Sequence, residues 1–415
     1  MGQVVAYSPS KRAEAAGAGP ADKSKANQLS SSTNRRIDFL DPIRGVAILL
    51  VFLYHSLGTA FGRDQLPWVH NFRSLNVPRS FLPLIPASFG WAGVAVFFVV
   101  SGFCIHLSFS RSPQWSSFFW RRFFRIYPVY LVTLLFFAFV FNPTRLHTHS
   151  SWGLNDLVSH IFLVHNLGTS IYSINPSYWS IGLEVQLYLL YPVLMFLAAR
   201  FGWRRTLIAV AFIEIAFRLA IASEALLPGK DLPNYIAVSP FGYWFSWSIG
   251  AYLAERHVRG LAFSVPKYYI YTSGVAAVAV TFFKPLYSFS FMLFALFTAS
   301  IVAYSLQNGA PKIPAPHVLL THLANVGMWS YSLYLWHQPL VAAIPRLLLR
   351  IAPGVHFDPL IKFACCLLLW IVVVPISRLS YKYFELPSIE FGKRFYSRSR
   401  KQIQPAEAPL AVAAE

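Results

Sequence analysis

Between residues 42 and 377 the chain alternates long apolar stretches with short polar breaks that carry Lys, Arg, Pro and Gly. Ten stretches fall in or near the ~17 to 25 residues that a helix needs to cross a bilayer. They are 42–60, 87–107, 123–141, 179–199, 206–222, 238–254, 268–283, 286–306, 325–344 and 360–377, with the seventh and eighth parted only by the tight turn Lys284–Pro285. Hydrocarbon offers no water to backbone groups, so each crossing segment must be helical. The pattern predicts an all-α fold, a polytopic membrane helix bundle with about ten transmembrane helices. Residues 1–36 are rich in Ala, Ser, Lys, Gly and Asn and hold no apolar run, which predicts a disordered tail. The missing apolar centre excludes a secretory signal peptide. Residues 393–415, basic and then Pro/Ala-rich, predict a second tail and leave 37–392 as the membrane domain.

Composition agrees with this pattern. Of 415 residues 56% are hydrophobic and only 12% charged, against about 25% charged in soluble domains. Such a chain cannot cover a water-facing surface. The net charge of +19 raises a nucleic-acid role, but the basic residues sit in short clusters between apolar runs and not on one face, which argues against nucleic acid as a partner. Segments on the N-terminal side of the bilayer hold well over twice as many Lys and Arg as those opposite. That bias places both termini in the cytoplasm and the chain, multi-pass, in the inner (plasma) membrane, with lipid as a partner. Cys104, Cys365 and Cys366 lie inside apolar runs as small packing residues. His147, His149, His160 and His165 share the longest outer connection without a nearby Cys or carboxylate cluster, so a polar loop is expected there and no metal site. No internal repeat is visible, which weakens a transporter built on inverted repeats.

Candidate chemistry lies within the apolar segments. The first opens Asp41-Pro42-Ile43-Arg44, a helix start with Asp as cap and Pro at the first helical position. Arg44 and His55 fall about 20° apart on one face and roughly 16 Å apart along the axis. A cation at the cytoplasmic mouth and an imidazole deep in the bilayer then look along one groove. The plainer alternative has Arg44 snorkelling to headgroups and His55 bonded to a neighbouring helix. Ionisable groups in lipid are costly and mostly functional, which favours the groove. Ser101-Gly102, taken alone, reads as close helix packing. Arg121, Arg122 and Arg125 read equally as an anchor to anionic lipid or as a fork for phosphate oxygens. Ser180 and Glu184 share a face, and Glu184 has no base within one turn, so its partner must come from another helix. Glu214 and Arg218 make a structural ion pair. Ser330, Tyr334 and His337 share a face ahead of Pro339, as interhelical glue or pocket lining. Measured from the outer segment ends, His55, Glu184 and His337 lie at one depth, roughly 8 to 10 Å in. Three ionisable groups from three helices at one level point to a site.

In this order the stretches 40–55, 97–103, 121–130, 178–192 and 330–340 resemble the membrane-bound acyltransferase 3 family. Its members O-acylate surface polysaccharides, peptidoglycan, lipid-linked sugars and some secondary metabolites. The resemblance runs from about Asp38 to Pro387. It implies that Arg44 and His55 form the family's Arg-x10-His motif, with the His catalytic. Ser101 and Gly102 match its Phe-Phe-x-x-Ser-Gly-Phe motif, and Arg121, Arg122 and Arg125 match its arginine-rich loop, thought to hold the donor coenzyme's phosphates. Glu184 matches the first carboxylate of a Trp-Ser-x-x-x-Glu-Glu-Gln stretch, in which Val185 replaces the second. Pro42-Ile43 stands where the family more often has Gly-Leu, a departure that touches helix entry and not chemistry. Glu385 resembles a closing Glu-x-Pro of undefined role. No extramembrane esterase-like domain is expected to follow.

The resemblance implies an integral membrane O-acyltransferase that moves an acyl group, expected to be acetyl, from acyl-CoA to a hydroxyl of a carbohydrate or glycolipid acceptor. His55 and Glu184 would be catalytic, with Glu184 orienting the imidazole. Arg44, Ser101, Gly102, Arg121, Arg122 and Arg125 would hold the donor. Trp179, Ser180, Tyr334 and His337 would line the acceptor pocket. No cofactor is expected to be held permanently. General-base transfer and an acyl-His intermediate both stay open. One rival is a transporter or flippase of a lipid-linked sugar that uses the same groove without chemistry. Another is a sensor with dead chemistry, against which the intact Arg44, His55 and Glu184 argue.

Overall fold

The computed structural model describes residues 37, 39–62, 83–141, 151–227, 232–309 and 317–403. The tail expected at 1–36 lies outside them. Regular structure among the described residues is entirely helical. The elements are α1 (Leu40–Phe61), α2 (Gly93–Arg111), α3 (Trp115–Leu135), α4 (Ser151–Ile161), α5 (Trp179–Phe201), α6 (Trp203–Leu226), α7 (Trp244–Val258) and α8 (Lys267–Thr281). They continue with α9 (Ser290–Asn308), α10 (His317–Met328), α11 (Ser330–Ala342), α12 (Ile344–Ile351), α13 (Pro359–Leu368), α14 (Trp370–Ser380) and α15 (Leu386–Ile403). The last runs past residue 393, where the sequence places the start of a tail. Helix α1 begins earlier than expected, so Asp41 is not its cap but sits in its first turn, where it accepts from Arg44 Nη1 at 3.5 Å.

Seven helical stretches are long and apolar enough to cross a membrane by length and composition: Leu40–Phe61, Ile85–Arg111, Trp115–Val140, Trp179–Phe201, Trp203–Glu224, Tyr287–Asn308 and Pro359–Tyr396. Their outward faces carry bare hydrocarbon: Phe196, Phe212 and Ile371 are 66%, 69% and 70% exposed. Apolar surface on this scale calls for lipid, not water. The other three expected crossings are helical but shorter. Helices α7 and α8 have 15 residues each, about 22 Å at 1.5 Å per residue. The third is broken at Trp329 into α10 and α11. Burial explains α7. Trp244, Ser246, Trp247, Gly250, Ala251 and Ala254 are all buried, so its surroundings are protein and it has no bilayer thickness to match.

Small residues set the core. A Cβ on Gly102 would lie 2.1 Å from Trp247 O, and one on Gly250 would lie 2.0 Å from Val99 O. Helices α2 and α7 therefore touch backbone to backbone at two reciprocal glycines, the close approach that membrane helices use in place of a hydrophobic drive. Gly102, expected at the donor, is a packing residue.

Candidate active site

Helix α1 supplies both ends of the site. Its pitch points Arg44 and His55 the same way, and the structure places them in two different cavities. The arginine cavity, about 120 Å³, is lined by Arg44, Arg122 and Arg125 together with Ser101, Cys104 and Glu184. The histidine cavity, about 310 Å³, is lined by His55, Trp179, Arg218 and a set of aromatic rings. Val94 and Tyr334 line both, so the two spaces lie on either side of that pair. Tyr334 is held there by a hydrogen bond of 2.7 Å between its hydroxyl and that of Ser180.

The three cavity arginines come from α1 and α3. Arg44 Nη2 reaches Cys104 Sγ at 3.2 Å. Arg122 Nη2 donates to Ser108 Oγ at 3.3 Å, while its buried Nε has no partner. Arg125 pairs with the buried carboxylate of Glu385 at 3.2 Å, and Ser332 Oγ donates to that carboxylate at 2.7 Å. Glu385 sits in a π-turn between α14 and α15, the kind of helix defect that recurs at functional sites. A buried carboxylate orients the Arg125 guanidinium through one of its five N–H donors and leaves the rest, with those of Arg44 and Arg122, for anionic oxygens. Arg121, expected beside them, is not among the lining residues. It turns to Ser117 Oγ and the Ser112 carbonyl.

Glu184 was expected to orient His55. Instead it accepts from Ser101 Oγ at 2.7 Å and Tyr188 Oη at 2.5 Å inside the arginine cavity. Trp247 Nε1 donates to the same Ser101 oxygen at 3.3 Å. The ring that holds His55 belongs to His337. His55 Nδ1 and His337 Nε2 are 2.9 Å apart, and the buried His337 places its Nδ1 at 2.9 Å and 3.2 Å from the Tyr334 and Leu333 carbonyls. Carbonyl oxygens only accept, so His337 Nδ1 carries a proton and, in the neutral ring, its Nε2 is an acceptor. His55 Nδ1 must then donate, which leaves the lone pair on His55 Nε2. The pair fixes the tautomer of His55. His337, expected as pocket lining, stands behind His55 instead. Trp179 lines the histidine cavity, and Ser180 faces the arginine side.

His147 and His149 lie outside the described residues. His160 and His165, on the connection before α5, stack at 4.0 Å with their planes 8° apart. Burial pushes His160 down to about 4 and His165 to about 3, the latter also through its neighbour. Among the described residues no group of three or more His, Cys, Asp or Glu is placed to hold a metal ion.

A family model described as an acyltransferase domain matches residues 37–378. The chain belongs to the acyltransferase 3 family. It is 25% identical to the O-acetyltransferase OatA of Staphylococcus aureus (strain MRSA252), over 91% of this chain and 61% of that protein. It is 26% identical to the acyltransferase MdmB of Streptomyces mycarofaciens, over 73% of this chain and 78% of the relative. The peptidoglycan O-acetyltransferase OatA of Listeria monocytogenes serovar 1/2a is 24% identical, over 79% of this chain and 56% of its own. The chain thus spans about three-fifths of the length of the OatA relatives. No solved structure matches.

Within this acyltransferase 3 chain, sequence reasoning singled out Arg44, Arg122, Arg125 and His55, which line the two cavities, but missed their partners. The equal depth of His55 and His337 was the signal for the dyad. Cys104 and Arg218 carried weaker signals, since each reaches its cavity only through the packing of other helices. Glu385 was visible as a closing motif, without the arginine it holds.

Proposed function

We propose that the protein is an integral membrane O-acyltransferase that moves an acetyl group from acetyl-CoA to a hydroxyl of a carbohydrate-type acceptor. The observation that carries this reading is that the basic cavity and the His55 cavity are neighbours with Tyr334 and Val94 as their common wall. Arg44, Arg122 and Arg125 take the donor's phosphates, because guanidinium groups bind phosphate oxygens two at a time. The pantetheine arm runs toward Tyr334 and brings the thioester to the junction. The acceptor enters the histidine cavity from the other side. His55 Nε2 takes the hydroxyl proton as that oxygen attacks the thioester carbonyl, and His337 keeps the imidazolium oriented. The tetrahedral intermediate collapses with loss of the coenzyme thiolate, which takes the proton back from His55. A positioned base of this kind contributes roughly 10²- to 10⁴-fold. Glu184 acts at a distance from the proton transfer, by fixing Ser101 and Tyr188 opposite Arg44.

The basic cavity faces the cytoplasm in this proposal, in keeping with the Lys and Arg bias and with a cytoplasmic source of acetyl-CoA. Counted as crossings in this proposal, the three shorter helical segments would raise the seven long ones to about ten. The Listeria relative, named as a peptidoglycan O-acetyltransferase, supports a surface glycan as acceptor. The experiment is transfer from acetyl-CoA labelled in its acetyl group, with the protein in lipid nanodiscs and a glycan acceptor. Label moved to the acceptor with release of free thiol supports the enzyme. Label crossing a proteoliposome membrane on an intact thioester, or an acceptor translocated unmodified, overturns it in favour of transport.

A further inference from the structure

The residue left unexplained by this reading is Arg218. It lines the histidine cavity although it is only 3% exposed, held between the rings of Tyr243 (4.5 Å) and Phe291 (5.2 Å). Its Nη2 pairs with Glu214 at 3.2 Å. Glu214 also accepts from the Ser246 hydroxyl at 2.6 Å and the Ser246 amide at 2.8 Å. Three donors on one buried carboxyl are the surroundings of a carboxylate, so the pair carries no net charge. Among the described residues no Asp or Glu lines the cavity, and His55 is its other ionisable base.

Two buried polar atoms of the lining residues lack a partner, Arg218 Nε and Trp91 Nε1. Both are donors. A buried donor without an acceptor is costly and rare, so what the cavity lacks is acceptor oxygen. Around these donors stand the rings of Tyr54, Trp179, Tyr243 and Tyr287, flat apolar faces with polar edges.

We infer that Arg218 and Trp91 read the acceptor, and that the histidine cavity selects an uncharged polyol ring whose oxygens accept from these two donors. The inference rests on the proposed use of this cavity for the acceptor and adds its chemical class. A neutral ring oxygen satisfies the orphaned donors without adding charge to a balanced ion pair. A carboxylate would leave the site with one excess negative charge, and a protonated amine would face Arg218 with no acid among the described lining residues to receive it. Glu214 is then the residue that sets the charge preference, although it does not line the cavity itself.

The test uses the full chain in nanodiscs and binding alone, read by quenching of tryptophan fluorescence with 4-nitrophenyl β-D-glucoside, β-D-glucuronide and β-D-glucosaminide. Wild type is expected to bind the neutral glucoside at least about ten-fold more tightly than either charged analogue. Glu214→Gln leaves a net positive site and should reverse the order toward the glucuronide. Where that variant fails to fold, the double variant Glu214→Gln/Arg218→Gln keeps the site neutral, and it should weaken the glucoside about ten-fold; Trp91→Phe should weaken it several-fold. Absence of saturable binding, a wild-type preference for a charged sugar, or unchanged glucoside affinity in the double variant overturns the inference. Acyl donor and His55 play no part in this measurement. Expected binding together with failed acetyl transfer would therefore count against the enzymatic reading alone.

Discussion

Replacing His337 by Phe removes the acceptor for His55 Nδ1 while keeping an aromatic ring in a buried position. The loss can be scaled from the hydrogen bonding. His337 holds its own proton on Nδ1 against two backbone carbonyls and so offers Nε2 to His55. Without it, the tautomer with the lone pair on Nε2 buries an unpaired N–H, at a cost of about 1 to 3 kcal/mol. That cost shifts the population toward the other tautomer, which presents a donor where the proposed reaction needs a base. At 1.36 kcal/mol per factor of ten, kcat should fall roughly 5- to 150-fold. The Michaelis constant for acetyl-CoA should stay within about two-fold, because no cavity arginine is touched. His337→Gln offers a carbonyl oxygen to His55 and an amide to the backbone, and should recover part of the rate. The assay is acetyl transfer in nanodiscs over a range of donor concentrations, with thermal melts to confirm folding. A wild-type kcat in a folded His337→Phe protein, or a change confined to the donor Michaelis constant, would refute the dyad.

Arg122→Ala and Arg125→Ala should each raise the donor Michaelis constant roughly ten-fold or more, the worth of a charge-assisted hydrogen bond. Arg121→Ala, whose guanidinium is committed to Ser117 and Ser112, should change it by less than about two-fold in the same steady-state assay. Gly102→Ala places a methyl 2.1 Å from Trp247 O. It should lower thermal stability by about 1 to 3 kcal/mol, read by melting in detergent, whereas Gly168→Ala meets open space and should be silent. His160 and His165 have folded values of about 4 and about 3, below the usual 6.5. Between these limits the unfolded chain binds more protons than the folded one, so stability falls as pH drops from about 6.5 toward 4. Melting temperatures at pH 7.5 and 5.5 should differ in that direction, and His165→Phe should narrow the gap.

The helical class and most of the crossing segments were legible because hydrocarbon imposes a single rule, long apolar runs with satisfied backbones. The spacing of Arg44 and His55 was legible for the same reason, since it lies within one helix and follows its pitch. What escaped was everything set between helices. Glu184 pointed to a partner elsewhere, and only packing shows that it is Ser101 of α2 and not His55; its second donor, Tyr188, lies one turn along its own helix. Helix α7 read as a crossing because it is apolar, and its 15 residues fit because its neighbours are protein. Arg218 paired with Glu214 as the spacing implied. That the same guanidinium also lines the cavity of His55 depends on where α6 sits, which no local pattern encodes.

The base assigned to His55 Nε2 is tested most directly by measuring acetyl transfer and acetyl-CoA binding on one nanodisc preparation of His55→Ala. Donor affinity should match wild type, because the arginine cavity is intact, while the transfer rate should drop by roughly 10² to 10⁴. Transfer at the wild-type rate, or a loss of donor binding equal to the loss of rate, would contradict it.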